Sequence, residues 1–263
     1  MRITTRRRAG ISSVLTALAG LVLLASPATA ASAAPQLSYY GQLTCSSGFI
    51  EPGVYISILV NGNCSLTNFG TVIINGDLRV AQDATFNAVT GGTLIVDGSF
   101  YSGSYSDTDI GCNVKLQNSG CTSNSNDVIW GNVYSDNALE LSFNNVQVGG
   151  WYEAVTAGDA YPDNQNCQLQ DSNGNAGFIA FANGSVGGSF TWLHMHTCWM
   201  SLSNNKIGGN VLIHGNRTRS KPTIGSNWIG GWLRCLGNQP GLVLGNNLKN
   251  TVKLGKFAQC KKL

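Results

Sequence analysis

The chain has 263 residues, 43% of them hydrophobic and only 11% charged, with 33 glycines. That composition excludes a disordered chain and leaves enough residues for one continuous core. The formal net charge is +3, a quantity that speaks to association and not to fold.

The first 33 residues read as a secretory signal. Arg2, Arg6, Arg7 and Arg8 form a basic start, and Ile11 to Ala25 is an apolar stretch too short for a stable membrane span. Small residues at Ala28, Ala30, Ala31 and Ala33 suit cleavage between Ala30 and Ala33. No later segment is apolar enough to cross a bilayer, so the expected product is secreted and extracellular or cell-wall associated. All 8 cysteines follow the leader, and an even count in an exported chain favours disulfides over zinc. About 105 pairings are open to eight cysteines. Short loops suggest Cys45–Cys64, Cys112–Cys121, Cys167–Cys198 and Cys235–Cys260. The first would close an N-terminal cap over residues 34–66, and the last a C-terminal cap.

From residue 67 a cassette recurs: an aliphatic residue, Gly two places on, and an apolar residue two further. Ile74-Gly76-Leu78, Val96-Gly98-Phe100, Ile129-Gly131-Val133, Val148-Gly150-Tyr152, Val186-Gly188-Phe190, Ile207-Gly209-Val211 and Ile229-Gly231-Leu233 make the series. Alternation with a period of two is strand geometry with one face inside. Repetition near 20 residues means stacked coils. The expected fold is all-β, a single-stranded right-handed parallel β-helix. Asn145, Asn183 and Asn204, with Ser226 in the fourth case, stand three places before the aliphatic residue, as turn residues able to form a partial ladder. Two longer gaps imply loops near 102–126 and 156–175. The second is long enough for a degenerate coil instead.

The C-terminal run Gly230-Gly231-Trp232-Leu233-Arg234-Cys235-Leu236-Gly237-Asn238-Gln239-Pro240, with Asn250, Val252 and Gln259-Cys260, resembles the closing motif of a family of secreted actinobacterial proteins. The start, with Cys45, Pro52-Gly53-Val54-Tyr55, Val60, Gly62 and Cys64-Ser65-Leu66, is similar too. The resemblance implies a right-handed β-helix with disulfide-closed ends and brings no established activity. Trp232, Leu254 and Ala258 depart from its pattern.

Charge is segregated. Residues 34–171 carry 13 acids and two bases; residues 172–263 carry ten bases and no acid. The basic half suggests an anionic partner, with Arg217, Arg219, Lys221 and Arg234 as binding candidates and Lys206 among the other cations. Alternation turns Trp151, Trp228 and Trp232 outward, where indoles stack on sugar rings or partners. No cofactor is expected. Asp107 and Asp109, and Asp159 and Asp163, fall in expected loops where they offer oxygen ligands to Ca²⁺. His194 and His196 alternate with Cys198 on one strand face at a spacing a metal could use, although an oxidised Cys198 is no thiolate ligand. No nucleophile elbow, phosphate-cradling loop or zincin motif occurs.

The expected function is a non-catalytic surface solenoid whose basic half binds anionic cell-wall polymer or glycan, with no nucleic-acid partner and no membrane span after the leader. The alternatives are a polysaccharide lyase or hydrolase, which needs paired carboxylates or a base beside calcium, and a structural protein that assembles with itself.

Overall fold

The computed structural model describes residues 38–112, 123–156 and 178–263, all within one compact unit, Leu37–Leu263. Apart from two short 3-10 turns, Gly245–Asn247 and Gln259–Lys262, the regular structure of the described residues is β-strand. The strands form a 17-stranded sheet, a 9-stranded sheet and a two-stranded pair. Each ladder between them is parallel.

The period of two becomes two rows in the smaller sheet. Ile74, Val96, Ile129, Val148, Val186, Ile207 and Ile229 stand in register and are buried. The residues just before them, from Ile73 through Val128, Gln147, Ser185 and Lys206 to Trp228, form the outer row. In the large sheet Leu78, Phe100, Val133, Tyr152, Phe190, Val211 and Leu233 make an equivalent buried row. Aromatic rings fill its middle. Tyr152 stacks on Phe190 at 4.6 Å between centroids, and Trp192 meets Phe190 edge to face at 4.8 Å. Burying each such side chain contributes about 1.5–3 kcal/mol.

The cassette glycines lie directly over one another. Each N–H from Gly98 to Gly231 donates to the carbonyl of the glycine one repeat earlier, at 2.8–3.0 Å. A Cβ at Gly98 would sit 2.5 Å from the Gly76 oxygen, and one at Gly131 2.4 Å from the Gly98 oxygen. Successive backbones therefore pass too closely at this corner for any side chain. The Gly188 N–H bonds the Gly150 carbonyl directly, so the 38-residue gap is one repeat with an insertion and not two coils.

Asn145, Asn183, Asn204 and Ser226 all adopt the left-handed conformation, with φ between 57° and 63°. Their ladder is partial: Asn204 Nδ2 donates to Asn183 Oδ1 at 2.8 Å, while Asn183 Nδ2 turns to Asn144 Oδ1. Buried ladders run beside it. Asn205 N–H and Nδ2 both donate to Asn227 Oδ1, and Asn227 repeats the pattern to Asn250. A second series joins Asn216, Asn238 and Gln259.

Two of the expected disulfides are present, Cys45–Cys64 and Cys235–Cys260. Cys112 and Cys198 are also disulfide-bonded; their expected partners, Cys121 and Cys167, lie outside the described residues, as do residues 1–37 and 157–177. The loop expected near 102–126 begins later than its composition suggests. Asp107–Ile110 is a strand in register with Thr85–Ala88 and with Glu140–Phe143, because Thr108 and Ile110 keep the inward alternation. No helix among the described residues is long and apolar enough to cross a membrane.

Candidate functional site

Exposed indoles gather on both sides of the glycine corner. On the smaller sheet, Trp130 and Trp228 are 60% and 43% exposed. Trp130 stands just before Gly131 and Trp228 three places before Gly231. The stacked glycines put four repeats between them, roughly 19 Å of ladder. Between them lies an open cleft of about 430 Å³, floored in part by Gly149, Gly187 and Gly208. These glycines have a structural cause of their own: a Cβ at Gly187 or Gly208 would meet the carbonyl of the preceding repeat at 2.2 Å. The side-chain-free strip is thus a product of stacking, and the indoles exploit it. Lys206 lines the cleft, its ammonium 5.9 Å from the centre of the Trp228 ring. No carboxylate lines this cleft.

Across the corner lie Trp151 and Trp232. Both break a structural rule. At this position Asp77, Ser99 and Asn132 each accept the N–H of the next repeat through a side-chain oxygen, at 3.0–3.1 Å, and Ser189 and Asn210 do the same at 3.2 and 3.1 Å. Each of these two runs ends on a tryptophan, Trp151 and Trp232, which can only donate. Trp151 is exposed and meets Tyr134 edge to face at 6.4 Å. It borders a smaller cleft with Glu153, Ser189 and Thr191. Trp232 is half-buried and shares a cleft with Arg234.

The structure therefore joins Trp228 to Lys206 and Trp232 to Arg234, but Arg217, Arg219 and Lys221 line none of the clefts of Trp130, Trp151, Trp228 and Trp232. Arg217–Thr218 pairs with His196–Thr197 in the two-stranded ladder. Arg217, Arg219 and Lys221 are exposed there. Trp130 is an exposed cleft residue that the sequence reading passed over. Its place directly after inward Ile129 was the signal.

The histidine expectation is corrected. His194 and His196 do not share a face, because His194 takes a left-handed corner conformation, φ 54°, and the alternation breaks there. Its ring packs against His214 at 5.3 Å, while His196 stands opposite Arg217. The acidic expectation is changed as well. Asp107 and Asp109 belong to a strand, and with buried Glu140 they bring one carboxylate oxygen each within 4.8 Å of the others. Each carboxylate can bind through one or both oxygens, so the three offer part of the six- to eight-oxygen shell that Ca²⁺ takes. Asp159 and Asp163 lie outside the described residues.

One further acid is unusual. Asp127 is 2% exposed and accepts the Leu94 N–H at 2.7 Å. Burial pushes its carboxyl up to about 6, against hydrogen bonds from Ser125 and Leu94 that act in the opposite direction. It sits in the strand Asp127–Ile129, beneath the outer row that lines the Trp130 cleft, and does not line that cleft. None of the three clefts beside Trp130, Trp151 and Trp232 is lined by a pair of carboxylates. No family model, curated protein or solved structure matches this chain.

Proposed function

We propose that this chain is an exported, non-catalytic right-handed parallel β-helix that holds an extended anionic glycan along its stacked strands. Several observations support the winding. Each cassette glycine bonds the one a repeat earlier, and crossovers between parallel strands are right-handed in about 98% of cases. Disulfides favour an oxidising location outside the cell. The terminal motifs support membership of the secreted actinobacterial family they resemble.

The observation that carries the binding function is the long open cleft with an exposed indole at each end, a lysine within and no carboxylate. Indole faces suit the apolar faces of sugar rings, and the ammonium suits an acidic substituent. Exposed side chains lining a path of several repeats fit an extended polymer better than a compact ligand.

Affinity electrophoresis through gels containing an acidic or a neutral polysaccharide tests this. The acidic polymer retards the protein, and rising salt weakens the retardation. Trp130→Ala lowers affinity about five- to tenfold with no change in thermal midpoint, since its ring is exposed. Retardation that ignores both salt and the loss of Trp130 would sink the reading.

A further inference from the structure

The cleft beside Trp232 lies on the other side of the corner, and its chemistry differs from that of the Trp130 cleft. Its volume is about 460 Å³, and Trp232, Arg234, Phe257 and Lys261 supply its aromatic and cationic walls. Arg234 stands opposite Phe257 in the last ladder, and Trp232 stands opposite Gly255. Gly255 carries no side chain to cover the indole from that strand. Its φ of 125° reserves the position for glycine. Phe257 is 45% exposed, and Arg234 and Lys261 are both exposed. No carboxylate lines this cleft, and no acid occurs anywhere after Asp171, so no side chain in this half competes for the two cations.

Trp228 and Trp232 belong to the same repeat and flank Gly230 and Gly231. The Trp228 end of the long cleft and the Trp232 cleft are therefore neighbours across a corner that carries no side chain.

We propose that the Trp232 cleft is a separate subsite for an anionic sugar unit, carboxylated or sulfated. The ring stacks between Trp232 and Phe257, and the charge is held by Arg234 and Lys261. The inference rests on the glycan-binding reading, and it assigns the discrimination of acidic from neutral units to this subsite. A polymer lying in the long cleft turns at Gly230–Gly231 and presents one acidic unit here. Guanidinium and ammonium donors on one anion form charge-assisted hydrogen bonds, which give charge selectivity where indole stacking gives little.

The test is titration calorimetry on the intact protein. The probes are an oligomer of uronic acid, its methyl ester, a sulfated neutral oligomer and the unsulfated parent, all of equal length. The wild type prefers the acid over the ester and the sulfated over the parent oligomer, each by about tenfold or more. Arg234→Ala with Lys261→Ala removes both preferences and leaves ester binding unchanged. Trp130→Ala weakens all four probes and keeps the preferences. Loss of only one preference in the double variant identifies which anion the subsite takes. If the double variant keeps both preferences, the subsite is overturned while the long cleft stands; if the wild type has none, the subsite falls and so does the anionic character of the glycan reading. If the wild type binds none of the four, the glycan-binding reading falls together with it. Matching thermal midpoints confirm that the exposed substitutions leave the fold intact.

Discussion

One buried position, two residues before the aliphatic residue of each cassette, is filled differently in the two halves of the molecule. In the early repeats it holds Val72, Leu94 and Val146, all buried, with Asp127 among them. In the late repeats it holds Asn205, Asn227 and Asn250, equally buried. The apolar version gains from leaving water. The amide version gains only as a run, because each Asn needs the next one to satisfy it. The Gly184 N–H donates to Asn205 Oδ1, Asn205 donates twice to Asn227, and Asn227 donates twice to Asn250. Spare amide hydrogens reach the Phe181 and Leu202 carbonyls. A lone polar residue in the apolar half has no such chain: Asp127 accepts from Leu94 and Ser125, and its Oδ2 has no hydrogen-bond partner among the described residues. The same slot thus tolerates two chemistries, and mixing them is costly.

The comparison is broken most directly at the centre of the ladder. Asn227→Ala removes the acceptor for both donors of Asn205, and the side-chain donors to Asn250 and to the Leu202 carbonyl, while the backbone N–H of residue 227 still reaches Asn250. Leaving several buried polar groups unsatisfied costs about 3–5 kcal/mol, read as a lowered urea midpoint. Val146→Ala, in the apolar half, loses only transfer and cavity energy, about 2 kcal/mol. Equal costs for the two substitutions would show that the amide run is not cooperative.

Asp127 gives the next largest effect, and one that depends on pH. Its carboxyl is raised from 3.8 to about 6 in the folded protein, so the folded state holds its proton more tightly than the unfolded state. Its contribution is fully favourable below pH 3.8, declines as pH rises through about 6, and is absent above that. A shift of this size is worth on the order of 3 kcal/mol. Asp127→Asn keeps an acceptor for the Leu94 N–H and carries no charge. The variant is expected to match the wild type near pH 4 and to exceed it in stability at pH 7–8. Thermal melts across that range check it, and an unchanged pH profile would mean that the carboxylate is solvated.

What the sequence makes legible follows from which contacts are forced. The glycine stack could be read directly, because a Cβ collides with the neighbouring backbone and no other residue is allowed. The outward Trp151 and Trp228 followed from strand alternation. The buried Asn ladder was hidden because Asn204 and Asn205 are consecutive and identical in type, and nothing local says which one faces inward. His194 defeated the alternation by taking a left-handed corner. Glu140 could not be joined to Asp107 and Asp109, because their pairing crosses an insertion whose length obscured the register. The clefts were illegible for a different reason: they arise from side chains several repeats apart, and the insertions make the sequence spacing between repeats irregular.

The smallest predicted effect extends the ladder principle to the glycine corner. There Asp77, Ser99 and Asn132 hand an acceptor to each following repeat, and the run stops at Trp151. The next run begins at Ser189, whose side chain serves Asn210, but the indole of Trp151 has no oxygen to offer the Ser189 N–H. Trp151→Asn restores the missing acceptor and joins the two runs. One such hydrogen bond adds about 1 kcal/mol, offset in part by the lost edge contact with Tyr134. A small rise in the urea midpoint, combined with weaker glycan retardation, would show that the indole is kept for its ligand at the expense of the ladder. A fall in stability would show instead that Trp151 holds the corner together through Tyr134, and the argument that a broken structural rule marks a binding residue would fail at this position.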